Sequence, residues 1–127
     1  MLQAMNTGHD GSLTTLHAGD AEEAVLRLVL MARFGMDLPT ELIEEQIATA
    51  IDLIVVTRRL ADGTRLVTSM SEVARGPGGE AELTECVSFG PVARSWRLSR
   101  EPGFVGRGVD DGVLDEREVE RWRRRCS

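Results

Sequence analysis

The side chains best suited to chemistry crowd into residues 5–18, MNTGHDGSLTTLHA, which hold two histidines, three threonines and a serine. His9 and His17 are the only histidines in the chain. Imidazole exchanges protons near neutral pH, and hydroxyls bond anionic oxygens, so this is the side-chain set of an active-site segment. The competing reading of each histidine is structural, with a ring nitrogen satisfied by a backbone carbonyl. A second chemical fact is an absence. All 15 basic residues are arginines, so a phosphate loop of the form G-x-x-x-x-G-K-[ST] cannot be written from this sequence. Cys86 and Cys126 lie far apart and match no metal or redox spacing; both are expected as reduced thiols, and no metal ligands are assigned.

The elements that must position these groups belong to a chain of 127 residues with a net charge of −6. That length suits one domain. The acidic balance argues against nucleic acid as the main partner, because phosphate contacts need clustered cations. The tail Arg121-Trp122-Arg123-Arg124-Arg125 is a local exception, read as a helix end where cations complement the macrodipole. No apolar run approaches the roughly 20 residues that span a bilayer, and no secretory signal is apparent.

Residues 1–6 read as the end of a helix, with Leu2 and Met5 apolar and Gly8 as its cap. Ser12–Leu16 reads as a short strand on its β-branched Thr14 and Thr15. Asp20 and Glu23 form a D-x-x-E capping box before Ala21, Ala24, Val25, Leu28 and Ala32, which keep helical spacing up to Gly35. Pro39 opens a further helix with Ile43, Ile47, Ala50 and Ile51 along one face. Leu53-Ile54-Val55-Val56 is a continuous apolar run, expected as a strand buried on both faces. ADGT (61–64) and GPGG (76–79) are turns joining it to Arg65–Val73 and then to a strand bearing Ala81, Leu83, Val87 and Phe89. Residues 90–113 lack periodicity and read as a loose linker. A terminal helix is expected at about 115–125. The fold class is therefore α/β: αβαα, a three-stranded antiparallel β-meander, then an irregular tail with a terminal helix. GPGG joins two strands and lacks G-x-G-x-x-G, so it is a turn and not a phosphate cradle.

The blocks MLQAMNTGHDGSLTTLHA, MDLP, EQIATAIDLIV and RLADGTRLVTSMSEV resemble the type II/type IV secretion ATPases, and within them the branch that assembles Flp (tight-adherence) pili. The resemblance runs in order from residue 1 to about Phe89. It implies the C-terminal part of a RecA-like P-loop ATPase domain over 1–89, from just after Walker B through the His box, with 90–127 as a divergent tail. Family members are hexameric motors that use ATP and Mg²⁺ at the cytoplasmic face of the inner membrane, against membrane platform proteins.

By this resemblance, Thr14-Thr15-Leu16-His17 corresponds to the His box and Thr7-Gly8-His9 to the segment before it. His17 is then the catalytic candidate. At a strand end its imidazole could donate to a γ-phosphate oxygen or bond the carboxylate that positions water. His9, Thr14 and Thr15 are candidates for the nucleotide's vicinity, with only one of the two threonines facing it. Gln46 matches a family position in EQIA and is expected at a helix or subunit interface. Arg58 and Arg59, after the apolar strand, either sense a neighbour's phosphate or end a solvated strand. The Walker elements would lie upstream, so the chain alone is expected to hold no nucleotide tightly and to lack ATPase activity. It would need an upstream half or full-length ATPase subunits. Two further readings stay open: a non-catalytic remnant that binds a full-length ATPase, and one half of a split ATPase. The isolated chain is expected to be marginally stable or to self-associate along an open strand edge.

Overall fold

A computed structural model describes residues 11–127. The expected helix over 1–6, its cap at Gly8, and His9 lie outside these residues. The chain divides into two compact units, one of Met1–Ile54 with Val73–Thr84, the other of Val55–Glu72 with Glu85–Ser127.

In the first unit, helix α1 (Ala21–Gly35) starts where the sequence calls for it. The Asp20 carboxylate accepts from the Glu23 backbone N–H at 2.8 Å. The Glu23 carboxylate accepts in return from the Gly19 N–H at 2.6 Å, one residue earlier than a standard capping box. Arg27 donates from Nε and Nη2 to the other Glu23 carboxylate oxygen at 2.9 and 2.7 Å. These bonds, the one from the Gly19 backbone first, hold the Glu23 carboxyl below its ordinary range. Helix α2 (Thr40–Ala50) follows Pro39, whose fixed φ of −55° suits the entry. Ile43 and Ile47 are fully buried and meet Leu28, Val29 and Ala50 in one cluster, with Leu16, Val25, Leu38, Ile51 and Ala81 packed on it.

Strands β1 (Leu53–Arg59), β2 (Arg65–Arg75), β3 (Ala81–Gly90) and β4 (Ser95–Leu98) form one sheet in that order. Connections this short leave only antiparallel neighbours, so the sheet is a meander. The β1–β2 turn closes with the Leu60 N–H on the Thr64 carbonyl at 2.8 Å and the Thr64 N–H on the Asp62 carboxylate at 2.9 Å. Gly63 sits there at φ +87°, a left-handed conformation that a side chain would strain. Gly79 does the same at φ +90° in the β2–β3 turn.

Three expectations need correction. Residues 12–18 form no strand: the sheet is made of β1–β4, and these residues pair with none of them. β1 is not buried on both faces: it is an edge strand, with Val56 buried but Val55 46% exposed. The expected linker 90–113 holds β4 and helix α3 (Gly103–Asp110).

In the second unit, β3 and β4 pair with Phe89 opposite Trp96 and Val87 opposite Leu98. The two rings lie 5.2 Å apart between centroids, and Trp96 Nε1 donates to the Val67 carbonyl at 2.8 Å. Helix α4 (Glu116–Arg125) is capped by Asp115, whose carboxylate accepts from the Arg117 N–H at 2.7 Å. Cys86, Val87 and Cys126 make the buried cluster of this unit, covered by Met70, Trp96, Leu98 and Trp122. α3 has its own anchor: the Gly103 N–H at its first turn donates to the Glu72 carboxylate at 2.9 Å. A carboxylate there satisfies an orphan donor and complements the helix dipole.

Candidate functional site

Thr14, Thr15 and His17 stand on the segment that leads into α1, and all three are exposed. The expected division of the threonines, one toward a site and one into a sheet, is therefore absent, since no sheet forms at this point. Leu16 is the seated residue of the group, half-buried against the α1–α2 cluster. Asp20, three residues beyond His17, is fixed by the cap of α1. The backbone at His17 thus lies between a residue packed on the core and one hydrogen-bonded in the cap, and its side chain is exposed.

Gln46 is half-buried on α2, between the fully buried Ile43 and Ile47, in the same unit as His17. That position fits a packing or interface amide. Arg58 and Arg59 end β1 in the second unit, both exposed. The Arg59 guanidinium lies over the β1–β2 turn, within 3.7 Å of where a side chain at Gly63 would begin.

The sequence 76–79 is a hairpin turn, closed by the Gly76 N–H on the Glu80 carbonyl at 2.8 Å and the Gly79 N–H on the Gly76 carbonyl at 3.0 Å. Its Gly76 and Gly79 amides serve that closure. Among the described residues, no three or more His, Cys, Asp or Glu side chains converge to hold a metal ion. No helix among them is long and apolar enough to cross a membrane.

The arginine-rich end of the chain behaves as a helix terminus. Arg123 donates to both Glu101 carboxylate oxygens, at 2.6 and 2.9 Å, and lies 3.4 Å from Glu120. The Arg123 hydrogen bonds hold the Glu101 carboxyl below its ordinary range, and Glu101 in turn raises the guanidinium. Arg121 and Arg124 lie within ion-pair distance of Glu118 and Glu120.

One surface escaped the sequence reading. Leu26, Leu30, Met31 and Phe34 on α1 are 58%, 47%, 64% and 94% exposed. The signal was present, since AVLRLVLMARF is apolar on nearly every side of a helix rather than on one stripe.

A family profile described as "Type II/IV secretion system protein" matches residues 1–91. The chain is similar to "Conjugal transfer protein TrbB" of Rhizobium radiobacter, 38% identical over 66 residues, which cover 52% of this chain and 20% of the relative. It is also similar to "Type IV secretion system protein VirB11" of Brucella suis biovar 1 (strain 1330), 40% identical over 82 residues, 61% of this chain and 22% of the relative. The matched part of this chain spans about a fifth of the length of these relatives. With most of its length matched, the chain belongs to the type II/IV secretion system protein family.

Proposed function

We propose that this chain is the C-terminal part of the ATPase domain of a type II/IV secretion motor, in the branch that assembles Flp pili. The observation that carries the reading is the family match over residues 1–91, which includes the whole block MLQAMNTGHDGSLTTLHA. The complete motor hydrolyses ATP with Mg²⁺ as a hexamer at the cytoplasmic face of the inner membrane, against platform proteins of the secretion machine. In it, His17 donates from its imidazole to the transferred phosphoryl group or to the carboxylate that orients water. His9, Thr14 and Thr15 stand near the nucleotide, and Gln46, Arg58 and Arg59 serve subunit contacts.

The described residues do not by themselves fit a nucleotide with its metal. Phosphoryl transfer needs amides aimed at phosphate oxygens, a cation on the β- and γ-phosphates and a water-orienting carboxylate. Here the Gly76 and Gly79 amides close a hairpin and the sequence has no lysine. The chain alone is therefore inactive and works with the remainder of an ATPase domain.

A second reading, an interaction module that binds a full-length ATPase without catalysis, draws on one observation. Residues past the family match build a strand and two helices, and Trp96, Leu98, Trp122 and Cys126 among them pack with Cys86, Val87 and Met70 of the matched part, an addition that the motor's chemistry does not require.

The test is phosphate release by the purified chain, alone and joined to the P-loop-bearing portion of a relative such as TrbB. The expected result is no release alone, release from the joined protein, and a loss of about 100-fold or more with His17→Ala. Release by the chain alone that disappears with His17→Ala would overturn the need for a partner. A joined ATPase indifferent to His17→Ala would remove this residue from the chemistry and leave the interaction module as the better reading.

A further inference from the structure

The Glu23 carboxylate reaches past the helix that it stands on. In a standard capping box the third helical residue bonds back to the N-cap amide, here that of Asp20. Glu23 Oε2 instead accepts from the Gly19 N–H at 2.6 Å. Gly19 precedes the N-cap, so its N–H is not among the donors that the first turn leaves unpaired. The cap itself is made by other atoms, the Asp20 carboxylate on the Glu23 backbone N–H. The bond to Gly19 therefore serves the segment before α1, which carries His17.

Both sides of that bond are shaped for it. A Cβ on Gly19 would stand 2.8 Å from Glu23 Oε2, closer than side-chain carbons tolerate. Gly19 is not among the glycines at positive φ, so its missing side chain serves the carboxylate's approach rather than the backbone. On the other side, Arg27 Nε and Nη2 donate to Glu23 Oε1 at 2.9 and 2.7 Å, which leaves Oε2 for Gly19. A planar guanidinium giving two bonds fixes the carboxylate's direction as a point charge would not. An exposed pair four residues apart on a helix adds little stability, so its consequence here is orientation.

From this geometry we propose that Glu23 is a positioning residue for His17, with Arg27 holding its carboxylate. Leu16 is packed on the α1–α2 core, and Gly19 is tied to α1 through Glu23. The backbone of His17 and Ala18 runs between these anchors, which limits where the imidazole is carried. Glu23 touches no reacting atom and acts only through the loop. This role rests on the reading of His17 as the motor's catalytic histidine.

The experiment is steady-state ATP hydrolysis by the joined ATPase, with amide NMR spectra of the full chain beside it. Glu23→Ala should lower kcat about three- to tenfold and leave KM for ATP within about twofold, the loss of one charge-assisted hydrogen bond. Alanine favours helix and the Asp20 cap remains, so α1 should stay intact by circular dichroism. Gly19→Ala should push the carboxylate aside and give the same loss, yet add nothing in a Glu23→Ala protein, where room is free. In a His17→Ala background, Glu23→Ala should leave the residual rate unchanged, a result that general destabilisation does not give. In the spectra, Glu23→Ala should move the amide signals of residues 17–19 and leave that of Ile47 in place. Full kcat in Glu23→Ala, or the same fractional loss with and without His17, would overturn the positioning role while His17 keeps its own. A silent His17→Ala would remove the proposed function first, and this role with it.

Discussion

Ile47→Ala tests the core that holds the His17 segment in place. Ile47 is fully buried on α2 and sits in the cluster with Leu28, Val29, Ile43 and Ala50, on which Leu16 packs. The substitution removes three carbons. At about 0.8 kcal/mol each, the transfer cost is roughly 2.4 kcal/mol. The hole left between α1 and α2 adds a cavity penalty, which places the loss at about 3–4 kcal/mol, inside the usual range for such changes. Ile47→Val removes one carbon and should cost about 1 kcal/mol. For a chain of this size, a urea slope near 1.5 kcal/mol/M turns these into midpoint shifts of roughly 2 M and 0.7 M. The assay is urea unfolding followed at 222 nm, because α1 and α2 are the longest helices and neither tryptophan lies in this unit. An Ala variant that shifts no further than the Val variant would refute the reasoning, since it would mean that Ile47 is not closely packed.

Asp20→Ala removes the acceptor for the Glu23 N–H and should cost about 1 kcal/mol, with Asp20→Asn retaining most of the cap in the same urea assay. Trp96→Phe keeps a ring against Phe89 but leaves the Val67 carbonyl without its indole donor; a loss of about 1 kcal/mol is expected, read on the remaining fluorescence of Trp122. Glu23, Asp62 and Glu101 all have folded-state pKa values below their ordinary ones, 4.5 for the glutamates and 3.8 for the aspartate. The unfolded chain therefore takes up protons first, so their contribution is complete above those values and is lost as pH falls through the lower folded ones. Urea midpoints should drop as pH falls below 4.5, less steeply in Glu101→Gln, and midpoints that rose with acid would contradict the assignment.

The sequence was most legible where structure is decided within a few residues. Asp20, Glu23, Gly35 and Pro39 bound α1 and α2 because caps and fixed dihedrals act locally. ADGT and GPGG turn the chain because Gly63 and Gly79 accept positive φ. Where the decision is tertiary, the reading failed in both directions. Thr14 and Thr15 favour a strand, yet a strand needs a neighbour, and these residues pair with none of β1–β4. Leu53–Val56 looks like a central strand, yet its place at the sheet edge exposes Val55. Helix α3, GFVGRGVD, was invisible because its three glycines each cost about 1 kcal/mol in a helix. The structure offsets that with the Glu72 carboxylate on the Gly103 N–H and with Val105 buried, neither of which is local in sequence.

The candidate site divides along the same line. Its residue types were legible, because a family block fixes which side chains stand at Thr14, Thr15 and His17. Its environment was not, because a phosphate site of the kind proposed would be a convergence of donors from several elements, of which the His17 segment would supply one. The structure adds how that one is held. Leu16 is seated in the α1–α2 cluster and Asp20 is tied into the first turn of α1, so His17 is placed by residues on either side of it. In the proposed motor, the cap at Asp20 and the core at Ile47 would be positioning elements for the histidine. Weakening either should then lower turnover in the joined ATPase while the isolated chain stays inactive throughout.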